Sequence, residues 1–204
     1  RQLMAEFART LQAEIPKRLL APDVTRECER VEAVAKAEED AAFAELGAFA
    51  QARNFGLVRD QGRLVFTQRD DTGEPLTAAA AMALSREQRA ALDAAEEALR
   101  VQISRFLERA RTRDLATKET LAALRRQCVK PLLDHLLQDI RGHLRKQIKD
   151  SVKLGRYLDE AQQEVLDSLA LFQPGEDKDE LRAAAVIELV SRLRVNLVVD
   201  NNGR

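Results

Sequence analysis

The chain has no tryptophan, and aromatic residues make up only 4% of its 204 residues. A compact enzyme of this length ordinarily packs far more aromatic surface into its core. Glycine (8) and proline (5) are scarce as well. Neither Gly-x-x-x-x-Gly-Lys-Ser/Thr nor Gly-x-Gly-x-x-Gly occurs, so no run of backbone N–H groups is arranged to cradle a phosphate. The only cysteines, Cys28 and Cys128, lie far apart, which excludes a disulfide framework and a metal knuckle. They fit a reducing cytoplasm and read as small buried apolar groups. No stretch approaches the roughly 18 uncharged apolar residues that span a bilayer, and no signal peptide is visible. Charge of one sign is lacking too: 33 Lys plus Arg stand against 34 Asp plus Glu, a formal net charge of -1. That balance argues against a general affinity for nucleic acid or for a membrane surface.

What remains is one third charge with abundant Ala, Leu, Glu and Arg, the composition of long helices and coiled coils. Leu3, Phe7, Leu11 and Ile15 at steps of four predict a first helix from about Gln2 to Ile15, which Pro16 ends. A second helix is expected from after Pro22 to about Asn54, with Asp23 or Thr25 as N-cap. Its apolar positions include Val24, Cys28, Val31, Leu46 and Phe49, and its other face, Glu27 to Glu45, is acidic. Leu57-Val58 and Leu64-Val65-Phe66-Thr67 flank Asp60-Gln61-Gly62, a β-hairpin signature. A second turn cluster follows at Asp70 to Pro75. Because a lone hairpin is marginal in water, it must lean on a helix or on the terminal strand.

Ser85-Arg86-Glu87-Gln88 is a capping box. From it an apolar seam runs through Leu92, Leu99, Ile103, Phe106, Leu121, Leu124, Cys128, Leu132, Leu136, Ile140 and Leu144, as in paired helices. Unbroken, that helix would be roughly 90 Å long. Pro131 is expected to kink or break it near Lys130. A further helix covers about Val152 to Phe172, followed by a linker with Pro174 and Gly175, a helix from about Asp179 to Ser191, and a short strand from Val195 to Val199. The fold class expected is mostly α: a long antiparallel helical hairpin or coiled-coil-like bundle with a small β-hairpin and a short C-terminal strand. The segments are 1–54, the N-terminal helices; 55–77, the hairpin and turn; 78–172, the long helices; and 173–204, the linker, helix and strand. The chain opens on Arg1 and closes on Asn201-Asn202-Gly203-Arg204, ends that read as those of a piece of something longer.

Catalytic constellations are not found. His135 and His143, about 12 Å apart along a helix axis, are too far apart to share a metal. No serine has the strained-turn context of a nucleophile elbow, and no Ser-Lys or Ser-His pair can be nominated. Val195 to Asp200 superficially looks like a strand ending in a magnesium-holding Asp, but Asn201 follows, and it reads as a plain strand end. One charge feature stands out. Arg141, Arg145 and Lys149 form an i, i+4 row, reinforced by Lys146, Lys153 and Arg156. Like charges at that spacing destabilise a helix unless something offsets them. The offset is either the acidic face Glu27 to Glu45 or an acidic partner. The candidate partner-contact residues are therefore Arg141, Arg145, Lys146 and Lys149, with no catalytic, cofactor or metal-ligating residue named.

Three stretches together resemble the Lon-related AAA+ proteases whose ATPase module carries a long helical insertion. The first is Arg53-Asn54-Phe55-Gly56-Leu57-Val58 with Gly62-Arg63-Leu64-Val65-Phe66-Thr67 and Asp71-Thr72-Gly73-Glu74-Pro75-Leu76-Thr77. The second runs from Tyr157 to Leu169, and the third is Arg194-Val195-Asn196-Leu197-Val198-Val199-Asp200-Asn201. The resemblance implies a cytoplasmic, ring-forming, hexameric parent that uses ATP and Mg and a Ser-Lys dyad to degrade protein substrates. Its phosphate loop would lie upstream and its protease domain downstream. No catalytic or cofactor site of that family has a matching position here, so this region would be a non-catalytic insertion assisting substrate recognition, gating or ring assembly. The alternative is a free-standing coiled-coil scaffold that dimerises through the long helix, and an independent enzyme ranks third.

Overall fold

A computed structural model of the chain describes residues 2–70, 72–144, 151–172, 184–189 and 191–192. The elements, in order, are helices α1 (Gln2–Leu19) and α2 (Pro22–Gln51), strands β1 (Phe55–Asp60) and β2 (Arg63–Gln68), and helices α3 (Ala78–Ala83), α4 (Arg86–Leu144) and α5 (Ser151–Asp167). A 3₁₀ turn at Leu169–Phe172 follows α5, and residues 184–189 are helical. The fold is mostly α, as expected. The expected C-terminal strand at 195–199 lies outside the described residues.

The chain divides into two compact units, one of Arg1–Arg30 with Thr120–Arg204 and one of Val31–Glu119. In the first, α1 buries Phe7, Leu11, Ile15 and Leu19 at strict steps of four. They meet Val129, Leu133, Leu137 and Ile140 of α4, and Leu154, Leu158, Ala161 and Val165 of α5. Leu169, Phe172 and Leu189 complete this cluster. Polar contacts tie α4 to α5 in antiparallel order. The Arg126 guanidinium donates to Asp167 at 3.0 Å and the Gln162 amide to Asp134 at 2.6 Å, and Arg141 donates to Asp159.

Two prolines lie inside helices here, Pro16 against expectation and Pro131 without the break that was one of the two outcomes expected. Pro16 does not end α1, which continues to Leu19, and Pro131 does not break α4. An internal proline costs about 3 kcal/mol. Against that, each large apolar side chain buried nearby contributes about 1.5–3 kcal/mol. Ile15 and Leu19 flank Pro16, and Val129 and Leu133 flank Pro131, all of them buried. Packing outweighs the backbone penalty at both places. The start of α2 also differs from expectation: Pro22 itself is the first helical residue, ahead of Asp23 and Thr25. Its missing N–H would have had no intrahelical partner there.

In the second unit, β1 and β2 pair antiparallel with Leu57 opposite Phe66 and Val58 opposite Val65. The connecting residues Gln61 and Gly62 both have positive φ, 46° and 78°, as primed hairpin turns require. One face of the hairpin, with Phe55, Leu57, Leu64 and Phe66, packs on Leu46 and Ala50 of α2 and on Leu99 and Phe106 of α4. The hairpin thus leans on helices. Arg59 shares that face. Its guanidinium lies 4.5 Å from the Phe43 ring centroid and donates to Glu39 at 2.7 Å, so a charged residue is accommodated beside the apolar floor. Asn54, at φ 61°, takes the left-handed conformation just beyond α2.

The loop after β2 is organised by Asp70, whose Oδ1 accepts from Thr72 N at 2.9 Å, from Thr72 Oγ1 at 2.5 Å and from Glu74 N at 3.0 Å. These bonds hold the Asp70 carboxyl below its ordinary pKa, with the Thr72 hydroxyl as the largest cause. Thr77 caps α3. The capping box forms as expected, Gln88 N donating to Ser85 Oγ at 3.1 Å and Ser85 N to Gln88 Oε1 at 2.8 Å.

Candidate functional site

Of the four candidate partner-contact residues, Arg141 is described, and Arg145, Lys146 and Lys149 lie outside the described residues. Arg141 occupies the last turn of α4 and lines a cavity of about 750 Å³ with Asp134, Gln138, Leu154, Gly155 and Asp159. The sequence left open whether the acidic face of α2 or an outside partner offsets this charge. The structure supplies a different neighbour, Asp159 of α5. The second carboxylate of the cavity, Asp134, accepts from Gln162. With two acids and one base, the cavity presents no surplus of positive charge. Exposed pairs of this kind contribute at most about 1 kcal/mol. Arg141 is therefore first a cross-helix tie.

The other titratable groups that the sequence singled out behave as structural residues. His135 and His143 are exposed, and the His143 Nδ1 lies 2.8 Å from the Asp139 carbonyl oxygen. Cys28 and Cys128 are half-buried rather than fully buried. The Cys128 thiol donates to the Arg125 carbonyl at 3.1 Å. Burial pushes its pKa up, with smaller contributions from the negative charges of Cys28 and Asp23. Burial likewise raises Tyr157, with Glu164 adding to it. Among the described residues no cluster of three or more His, Cys, Asp or Glu side chains could hold a metal ion. Among them, too, no helix is long and apolar enough to cross a membrane.

A second basic row went unnoticed in the sequence. Arg105, Arg109 and Arg113 recur at every fourth position of α4 and share one wall of a groove in the second unit. Ala42, Glu45, Leu46 and Phe49 of α2 form the facing side of a recess of about 210 Å³. A wider recess of about 700 Å³ continues from it past Glu108 and Thr112. Two acids flanking the row on α4 are committed elsewhere, Glu96 to Arg100 at 2.5 Å and Asp114 to Lys118 at 2.6 Å. Arg113 Nη2 is shut off from solvent and has no hydrogen-bond partner among the described residues. The signal that would have found this row is partner accounting. Neither Arg109 nor Arg113 has an acid three or four residues away on either side. Glu108 beside them made the local charge look mixed.

Fold and site together define a mostly α protein with a helix-supported hairpin and a basic groove. Compared with models of protein families, with curated proteins and with solved structures, the chain matches none.

Proposed function

We propose that this chain is a non-catalytic helical insertion of a Lon-like ATP-dependent serine protease, where it assists recognition or gating of protein substrates or the bracing of neighbouring subunits. One observation carries the reading. The first of the three resembling stretches, Arg53 to Thr77, folds as one clipped unit: β1–β2, the Asp70 loop, and the Thr77 cap that starts α3. It stands between the 30-residue α2 and the 59-residue α4, as a hairpin set into a helical insertion would. ATP, Mg and the Ser-Lys dyad belong, on this reading, to other parts of a hexameric, cytoplasmic parent. The chain's own share is a surface that protein substrates or adjoining domains touch.

The coding frame on either side of the chain tests this. An upstream phosphate loop and a downstream serine protease domain are expected. Start and stop codons adjoining the chain would overturn the reading, as would hydrolysis of ATP or casein by the purified chain. A second reading, a free-standing scaffold that dimerises through its long helix, is favoured by the exposed apolar side chains Val101, Leu107 and Leu115 of α4. On that reading, sedimentation would find the isolated chain to be a dimer that polar residues at these three positions dissociate.

A further inference from the structure

Three guanidiniums one helical turn apart repel one another, and an α-helix keeps such a row only at a cost in stability. Arg105, Arg109 and Arg113 form no ion pair among the described residues: Glu96 and Asp114 serve Arg100 and Lys118, and neither Glu45 nor Glu108 of the groove closes on the row. The buried Arg113 Nη2 adds a second anomaly. A shielded N–H without an acceptor forgoes a hydrogen bond that water would have supplied. The repulsion along the row is relieved if acidic groups from outside the chain occupy the groove, and Arg113 Nη2 gains an acceptor where its side chain turns toward them.

We propose that this groove binds an amphipathic helical segment of another polypeptide, one with carboxylates a turn apart beside an apolar stripe. The dimensions favour it. The row extends about 12 Å along α4, with about 6 Å between successive arginines. Glutamates at i, i+4 and i+8 of a second helix repeat at that same interval. Between the arginines and α2, the floor of Ala42 and Leu46 receives the apolar stripe, the helix-in-groove arrangement with charged flanks. A compact anion would engage one arginine and leave the others unsatisfied. Nucleic acid fits less well. Glu45 and Glu108 line the same groove and would repel a continuous polyanion, whereas a peptide can place its acids away from them. The faces on which bases would stack are also taken: the Arg53 guanidinium covers Phe49 at 3.5 Å, and Phe106 is buried. The inference goes beyond the protease reading and is tested on this chain alone.

The test is fluorescence anisotropy with a fluorescein-labelled helical peptide carrying glutamates at i, i+4 and i+8 and leucines between them. Saturable binding that weakens with added salt is expected. Arg109→Gln should weaken it about tenfold, the loss of one charge-assisted hydrogen bond, and Arg109→Lys by less. Arg111→Gln, on the same helix but away from the groove, should change nothing. Replacing the peptide's glutamates by glutamine should reproduce the loss. Thermal melts guard against misfolding: Arg109→Gln relieves repulsion and should melt no lower than the parent chain. Absent or non-saturable binding overturns the proposal, as does equal weakening by Arg109→Gln and Arg111→Gln. Tighter binding of a labelled oligothymidylate than of the peptide overturns the choice of occupant. So does self-association of the chain that Arg109→Gln abolishes.

Discussion

Replacing Pro131 by alanine should stabilise the protein. Pro131 lies inside α4, which runs unbroken from Arg86 to Leu144, and its ring is exposed. Removing the ring therefore forfeits little buried surface. Alanine restores an N–H that can donate to the carbonyl of Gln127, a net gain of about 0.5–1.5 kcal/mol for a typical bond. It also removes the clash between the proline ring and that same carbonyl. In isolated helices the whole substitution is worth about 3 kcal/mol, an upper bound for a helix whose course is also held by tertiary packing. A gain of about 2 kcal/mol follows, or roughly 4–8 °C in Tm for a chain of this size. Thermal unfolding followed by circular dichroism of wild type and Pro131→Ala measures it directly. An unchanged or lowered Tm would refute the reasoning. It would mean that Val129 and Leu133 reach their buried positions only because the proline redirects the helix.

The core and the turn give further expectations. Leu158 is fully buried in the cluster of the first unit, so Leu158→Ala should cost about 2–5 kcal/mol in urea unfolding. Leu115→Ala, at a position 56% exposed, should stay within about 0.5 kcal/mol. Gln61 holds φ 46° without glycine's freedom. Gln61→Asn, which supplies the preferred residue of a primed turn, should therefore gain up to about 1 kcal/mol. The folded state raises the Cys128 pKa, chiefly by burial. Its contribution is intact below the ordinary thiol pKa and is lost as pH rises through the higher folded value. In a Cys28→Ala background, alkylation of Cys128 should accordingly reach half-maximal rate at a pH above that of an unfolded control. Coincident profiles would contradict the assigned burial.

Much of this architecture could be read from local pattern. Steps of three and four marked α1, α2, α4 and α5, and the Ser85–Gln88 box and the glycine at position 62 set a helix start and a hairpin turn. These signals are short-range, and the structure preserves them. The misreadings came from terms that depend on distant packing. The helix-breaking character of Pro16 and Pro131 was read locally, yet buried neighbours outweigh it. Arg59 alternates onto the inward face of β1, where Phe43 and Glu39 receive it, and nothing adjacent in sequence announces those partners. The candidate site was half legible for the same reason. Clustering of charge drew attention to Arg141, whose partner Asp159 lies on another helix. The row at Arg105, Arg109 and Arg113 is masked in the sequence by Glu108, and its facing wall on α2 appears only in the fold.

The proposed role of this helical region in handling protein substrates is open to a direct test. On the proposed reading the chain is part of a longer protease, and the decisive measurement replaces Leu99 and Phe106, which anchor the hairpin to α4, by polar residues in that protease. Degradation of a folded protein substrate and cleavage of a small peptide are then timed side by side. Slowed degradation of the folded protein with peptide cleavage nearly intact is the predicted result. Equal loss on both substrates, or no loss on either, would contradict it.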